Sequence, residues 1–113
     1  MRTVKFPNTY LAWDLETSGL DPVKDEILEI GCTGVKDGQI TGSQSWILKH
    51  PGLVISPEIT AINGIDQALV DKEGVDPAQA LQEFLAIFSS YSAHLTHNGI
   101  RFDIPFLAQA ASV

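Results

Sequence analysis

At 113 residues with a formal charge of −7, the chain has room for one domain and a modest core, and its seven Lys and Arg are too few and too scattered for a broad basic nucleic-acid surface. Hydrophobic residues at 44% and charged residues at 19% describe a soluble globular domain. No apolar run approaches the roughly 18 residues of a membrane span, Met1 to Pro7 lacks the apolar stretch of a signal peptide, and Cys32, the sole cysteine, permits no internal disulfide. A reducing, cytoplasmic location with no membrane partner is expected, with Cys32 itself read as a small buried residue in a strand.

The first strand ends in Tyr10-Leu11-Ala12-Trp13-Asp14-Leu15-Glu16, and a loop from Thr17 to Asp25 follows, signalled by Ser18-Gly19 and Asp21-Pro22. Residues two apart on a strand share a face, so Asp14 and Glu16 sit side by side where the apolar segment runs out. Two anions held there need a cation, and Lys24 lies beyond a Gly and a Pro where its reach is not assured. Hard oxygen ligands of this kind suit Mg2+ or Mn2+.

Ile27 to Val35 reads as a second strand, Asp37-Gly38 as a hairpin turn, and Gln39 to Leu48 as a third strand, giving three antiparallel strands. Ser56-Pro57-Glu58 opens a short helix that Gly64 stops. Asp76-Pro77-Ala78-Gln79 repeats the device for a longer helix whose Leu81, Phe84, Leu85 and Phe88 fall on one face, a stripe read as core packing. A short strand is expected from Ala93 to Thr96, then a loop holding His97 to Phe102, then a helix beginning near Asp103, which reads equally as a helix N-cap and as a further site carboxylate. A strand reached through a helical crossover runs parallel to the one it joins. The fourth strand should therefore lie beside the first and bring Asp103 toward Asp14 and Glu16. The expected fold class is α/β, a mixed sheet of three antiparallel strands and then a parallel one, with flanking helices.

Three blocks in order carry a resemblance: Asp14-Leu15-Glu16-Thr17-Ser18-Gly19-Leu20 with Ile27-Leu28-Glu29-Ile30-Gly31; Ser56-Pro57-Glu58-Ile59-Thr60-Ala61-Ile62-Asn63-Gly64-Ile65; and His97-Asn98 with Phe102-Asp103-Ile104-Pro105-Phe106-Leu107. The chain resembles the DEDD family (DnaQ-like, ribonuclease T-like) of 3'-5' exonucleases, a ribonuclease H-like group that includes proofreading subunits of DNA polymerase. The resemblance implies a single exonuclease-like domain over 1–113, the N-terminal part of the family fold. It implies hydrolysis of phosphodiester bonds at nucleic-acid 3' ends, DNA slightly favoured, through two divalent ions, Mg2+ or Mn2+, held by Asp14, Glu16 and Asp103 as metal-binding and catalytic residues. Thr17, Ile62, Asn63, His97 and Asn98 would border the substrate, single-stranded 3' ends, and a polymerase or other protein would be the partner. Phe102 is read as core.

The family's third motif, which supplies a fourth carboxylate and a water-activating histidine or tyrosine, has no counterpart before Val113, and none of His50, His94 and His97 replaces it. The chain accordingly reads as part of a longer nuclease or as a truncation that needs a partner or lacks activity. The spacer between Asn98 and Phe102 is one residue longer than in the commonest proofreading form. Two other readings stand beside the exonuclease: a nonenzymatic module that keeps the fold and binds a nucleic-acid end or a protein, and a zinc site from His94, His97 and Cys32.

Overall fold

Alternation of side chains fixes the first strand, β1 (Tyr10–Thr17): Leu11, Trp13, Leu15 and Thr17 are buried on one face, while Ala12, Asp14 and Glu16 point the other way. The computed structural model describes residues 7–96 and 103–111. β2 (Ile27–Lys36) and β3 (Gln39–Leu48) follow, joined by Asp37 and Gly38, whose φ values of 51° and 75° are those of the expected tight hairpin turn. Then come α1 (Pro57–Asn63), α2 (Gln67–Glu73), β4 (Gly74–Val75), α3 (Pro77–Ser89), β5 (His94–Leu95) and α4 (Ile104–Ala111).

The sheet has five strands in the order β4-β3-β2-β1-β5. β1, β2 and β3 are antiparallel neighbours, and β5 lies parallel to β1 with Leu11 opposite His94, as the crossover rule requires. Two elements go beyond the expected set. α2 is a single short helix started by Asp66, whose carboxylate accepts from the Leu69 amide at 2.8 Å. It delivers the two-residue β4 to the far side of β3, parallel to it.

Helices cover both faces, unequally. On one face α3 and α4 bury Ala80, Phe84, Phe106 and Leu107 against Leu11, Trp13, Leu15, Ile30 and Leu48. Phe84 makes edge contacts with Trp13 and Trp46, at centroid separations of 5.7 Å and 6.1 Å. Asp76 caps α3 by accepting from the Gln79 amide, and Pro77 stands in its first turn. On the other face, a smaller core of Leu28, Ile55, Ile65 and Val70 seats α1 and α2 over one end of the sheet.

A β-bulge makes the two cores compatible. Glu16 pairs with Glu29 but Thr17 pairs with Ile27, so Leu28 is the extra residue on β2. Ile27 thereby joins the α3 core and Leu28 the α1–α2 core, although they are adjacent in sequence. Among the described residues nothing covers the rest of the second face. Its floor is a depression of about 680 Å³ that includes Ala12, Asp14, Gly31, Thr33, Ser43 and Ser45.

Leu85 is only partly buried, whereas Phe84, one position earlier, is fully enclosed. Phe84→Ala is therefore expected to cost about 3–5 kcal/mol, and Leu85→Ala less. Denaturant unfolding of the two variants checks the order, and an equal or larger loss at Leu85 would show that the helix packs on a different face.

Candidate functional site

The end of β1 carries two carboxylates on the open face because the strand's period of two leaves no alternative once Trp13 and Leu15 are buried. Asp14 is exposed and Glu16 half-buried. Asp103 arrives from the other end of the chain, immediately before α4, with 1% of its surface accessible. A helix start is a position where the helix dipole favours negative charge. The structure thus brings together the three expected carboxylates, near enough that Asp14 and Asp103 both act on Glu16 electrostatically.

A fourth carboxylate joins them. Glu29 is the direct cross-strand partner of Glu16, so two like charges face each other across β1 and β2. Glu16 has its carboxyl pushed above the ordinary range, first by burial and then by the negative charges of Asp14, Glu29 and Asp103. Glu29 is raised as well, by burial and by Asp14. Ion pairs among the described residues join Lys49 to Asp71 and His50 to Glu26, and neither offers a cation to Asp14, Glu16 or Glu29. Glu29 stands in the first of the three blocks without a role assigned to it there, because its place opposite Glu16 comes from the register of β2 on β1 rather than from a local pattern.

The bordering residues are tied to the strand end by hydrogen bonds. Thr17 is buried, its hydroxyl donating to the Gly19 carbonyl at 2.6 Å. Its own carbonyl accepts from Asn63 Nδ2 at 3.2 Å, while Asn63 Oδ1 accepts from the Ile65 amide at 3.0 Å. Gly64, at φ 78°, ends α1 and lets the chain turn there. Ile62 projects outward beside this junction at 86% exposure. The loop after Thr17 is organised around the Asp25 carboxylate, which accepts from the Ser18 hydroxyl and the Asp21 amide. It holds Leu20 and Val23 exposed at its tip.

His97, Asn98 and Phe102 lie outside the described residues. Cys32 is buried in β2, where burial pushes its thiol pKa up, and the His94 ring stacks on Phe88 with centroids 4.0 Å apart. Among the described residues no three or more His, Cys, Asp and Glu side chains close into a group able to hold a metal ion. The zinc reading gains nothing from that, and the same holds of Asp14, Glu16, Glu29 and Asp103 as they stand: they do not close around an ion. Their anionic oxygens repel one another, which is what raises the Glu16 and Glu29 carboxyls beyond the effect of burial. No helix among the described residues is long and apolar enough to cross a membrane.

The exonuclease family model (RNase_T) matches residues 11–113. Similar curated proteins include "DNA polymerase III PolC-type" of Thermotoga petrophila, 39% identical over 100 residues, and the protein of the same name in Ureaplasma parvum, 34% identical over 101 residues. These alignments cover 88% and 89% of this chain, which spans about 7% of the length of each relative. Among solved structures, zinc-bound E. coli ExoI in complex with single-stranded DNA superposes with a TM-score of 0.83 at 20% identity. That match covers 94% of this chain and 24% of the other, and it shows a common ribonuclease H-like fold.

The raised carboxyls set a pH dependence. Folding gives Glu16 and Glu29 a pKa above their unfolded value, so the folded chain binds more protons in that window and stability falls as pH rises through it. Asp14→Asn removes a charge that acts on both. In metal-free solution it is expected to melt higher than wild type at neutral pH, with the advantage shrinking as pH falls through the carboxylate range. Melting curves across that range check this, and an advantage independent of pH would show that charge repulsion is not its source.

Proposed function

We propose, from the premise that this chain belongs to the exonuclease family whose model matches residues 11–113, that it carries the carboxylate platform of a metal-dependent 3'-5' exonuclease. The observation that carries the reading is the meeting of Asp14, Glu16 and Asp103, from opposite ends of the chain, at one open edge of the sheet with their charges opposed. The oxygen-only donor set fits divalent Mg2+ or Mn2+ better than any softer ion. In this proposal Asp14, the most exposed of the three, and Glu16 would hold the ions, with Asp103 in support. When bound, such a pair of ions supplies an activated water and stabilises the leaving 3' oxygen.

The chain's own residues bind and orient. Asn63 locks the end of α1 to the carbonyl of Thr17, which sets Ile62 and the Thr17 loop as a rigid border for a terminal nucleotide. His97 and Asn98 extend that border in the same proposal. Ile62 offers an exposed apolar face for a base or sugar next to acidic groups that take the phosphate only through cations. A single-stranded DNA end as substrate and a polymerase as partner are supported by the PolC-type names of the relatives and by the ExoI–ssDNA complex. A cytoplasmic location accords with replication proteins of that kind. The activity belongs in this proposal to the longer protein of which such a domain is a part, since the relatives are many times longer.

A nonenzymatic module is the rival reading, favoured by the open rather than closed donor set among the described residues. Manganese titration by calorimetry, followed by a 3'-labelled single strand, separates the two. Binding in the wild-type chain that disappears in Asp14→Asn, with that variant still folded, is the expected result. Shortening of the strand from its 3' end would add that the chain is active alone. Strand binding indifferent to manganese would favour the module, and wild-type turnover in Asp14→Asn would sink the exonuclease assignment.

A further inference from the structure

Asp14 is paired across β1 and β2 with Gly31, and beyond Gly31 on β3 stands Ser45. A glycine in the middle of a three-strand ladder is unfavourable, because it gives up the side-chain packing that stabilises sheets and loses more chain entropy on folding. Two ordinary reasons for accepting it are excluded here. Its φ is not in the left-handed region, and a Cβ built on it meets no atom of another described residue within 4 Å apart from its chain neighbours. Gly34, three residues on, is different: a Cβ there would collide with the hydroxyl of Tyr91. Among the described residues nothing fills the gap beside Gly31, which opens into the depression that Asp14 also lines.

We propose that Gly31 is a positioning residue, whose missing side chain leaves the volume beside Asp14 for a hydrated divalent cation and the phosphate it carries. The inference rests on the metal-dependent reading above and adds the residue that sets access to its acidic group. Directly opposed side chains on antiparallel strands stand about 4.5–5.5 Å apart at Cβ, so any side chain at position 31 lies against the Asp14 carboxylate. Magnesium and manganese keep part of their water shell at protein sites, and that shell needs room that two methyl groups would occupy. A β-branched residue at 31 would also shield Asp14 from water without offering it a hydrogen-bond donor. The neighbours Ala12, Ser43 and Ser45 are small as well, which keeps the floor of the depression low.

The test uses the 113-residue chain with Gly31→Val, Gly31→Ala and, as a control, Gly42→Val, where a Cβ likewise meets nothing within 4 Å and the position lies outside the depression. Thermal melting and manganese calorimetry are read on each. The expected result is unchanged or higher melting for both Gly31 variants, manganese binding weakened by about tenfold or more in Gly31→Val and by less in Gly31→Ala, and unchanged binding in Gly42→Val. Wild-type manganese affinity in Gly31→Val would overturn the inference while leaving the metal reading intact. Lower melting in both Gly31 variants would overturn it too, by showing that the glycine is required for packing. No manganese binding in the wild-type chain would overturn the metal reading, and this inference with it.

Discussion

The register between β1 and β2 holds Glu16 against Glu29 and Asp14 within range of both, and the rest of the functional geometry follows from that enforced proximity of like charges. Nothing local favours it: opposed carboxylates on a half-buried strand pair repel, and burial adds to the penalty. The pairing persists because the opposite face of the same strands is committed. Leu11, Trp13, Leu15, Ile30 and Cys32 are buried against Phe84, Phe106 and Leu107, and a slip of one residue would turn that entire set to solvent. Core packing therefore acts as the clamp, and the acidic cluster is the strained part that it holds together.

The bulge at Leu28 is the device that reconciles the two sides. One extra residue on β2 feeds Ile27 to the large core and Leu28 to the small one, which seats α1 and α2 beside the acidic edge. Asn63 then ties the end of α1 to Thr17, so the apolar Ile62 and the carboxylates belong to a single rigid border. Beyond α2 no described residue covers the face, whose floor includes Gly31, Ala12, Ser43 and Ser45.

Much of this was legible in the residues. The period of two placed Asp14 and Glu16 together, Asp37-Gly38 marked the hairpin, Ser56-Pro57 and Asp76-Pro77 marked the starts of α1 and α3, and the crossover rule put β5 beside β1. α2 and β4 were not legible, since a seven-residue helix and a two-residue strand carry too little periodicity to register and depend on contacts with Leu28 and β3. Glu29 was hidden for a different reason. Its place opposite Glu16 comes from the register of β2 on β1, which a local pattern does not encode. The joint role of Asn63 was likewise invisible, because its partner Thr17 lies 46 residues away.

In the proposed reading a divalent cation offsets the mutual repulsion of Asp14, Glu16 and Glu29. The reading is tested most directly by following the side-chain carboxyl carbons of Glu16 and Glu29 by NMR through a pH titration, without and with Mg2+. The account predicts that both titrate above the ordinary glutamate range in the absence of metal, and that Mg2+ draws them back down. Ordinary titration of both groups, unchanged by Mg2+, would contradict it.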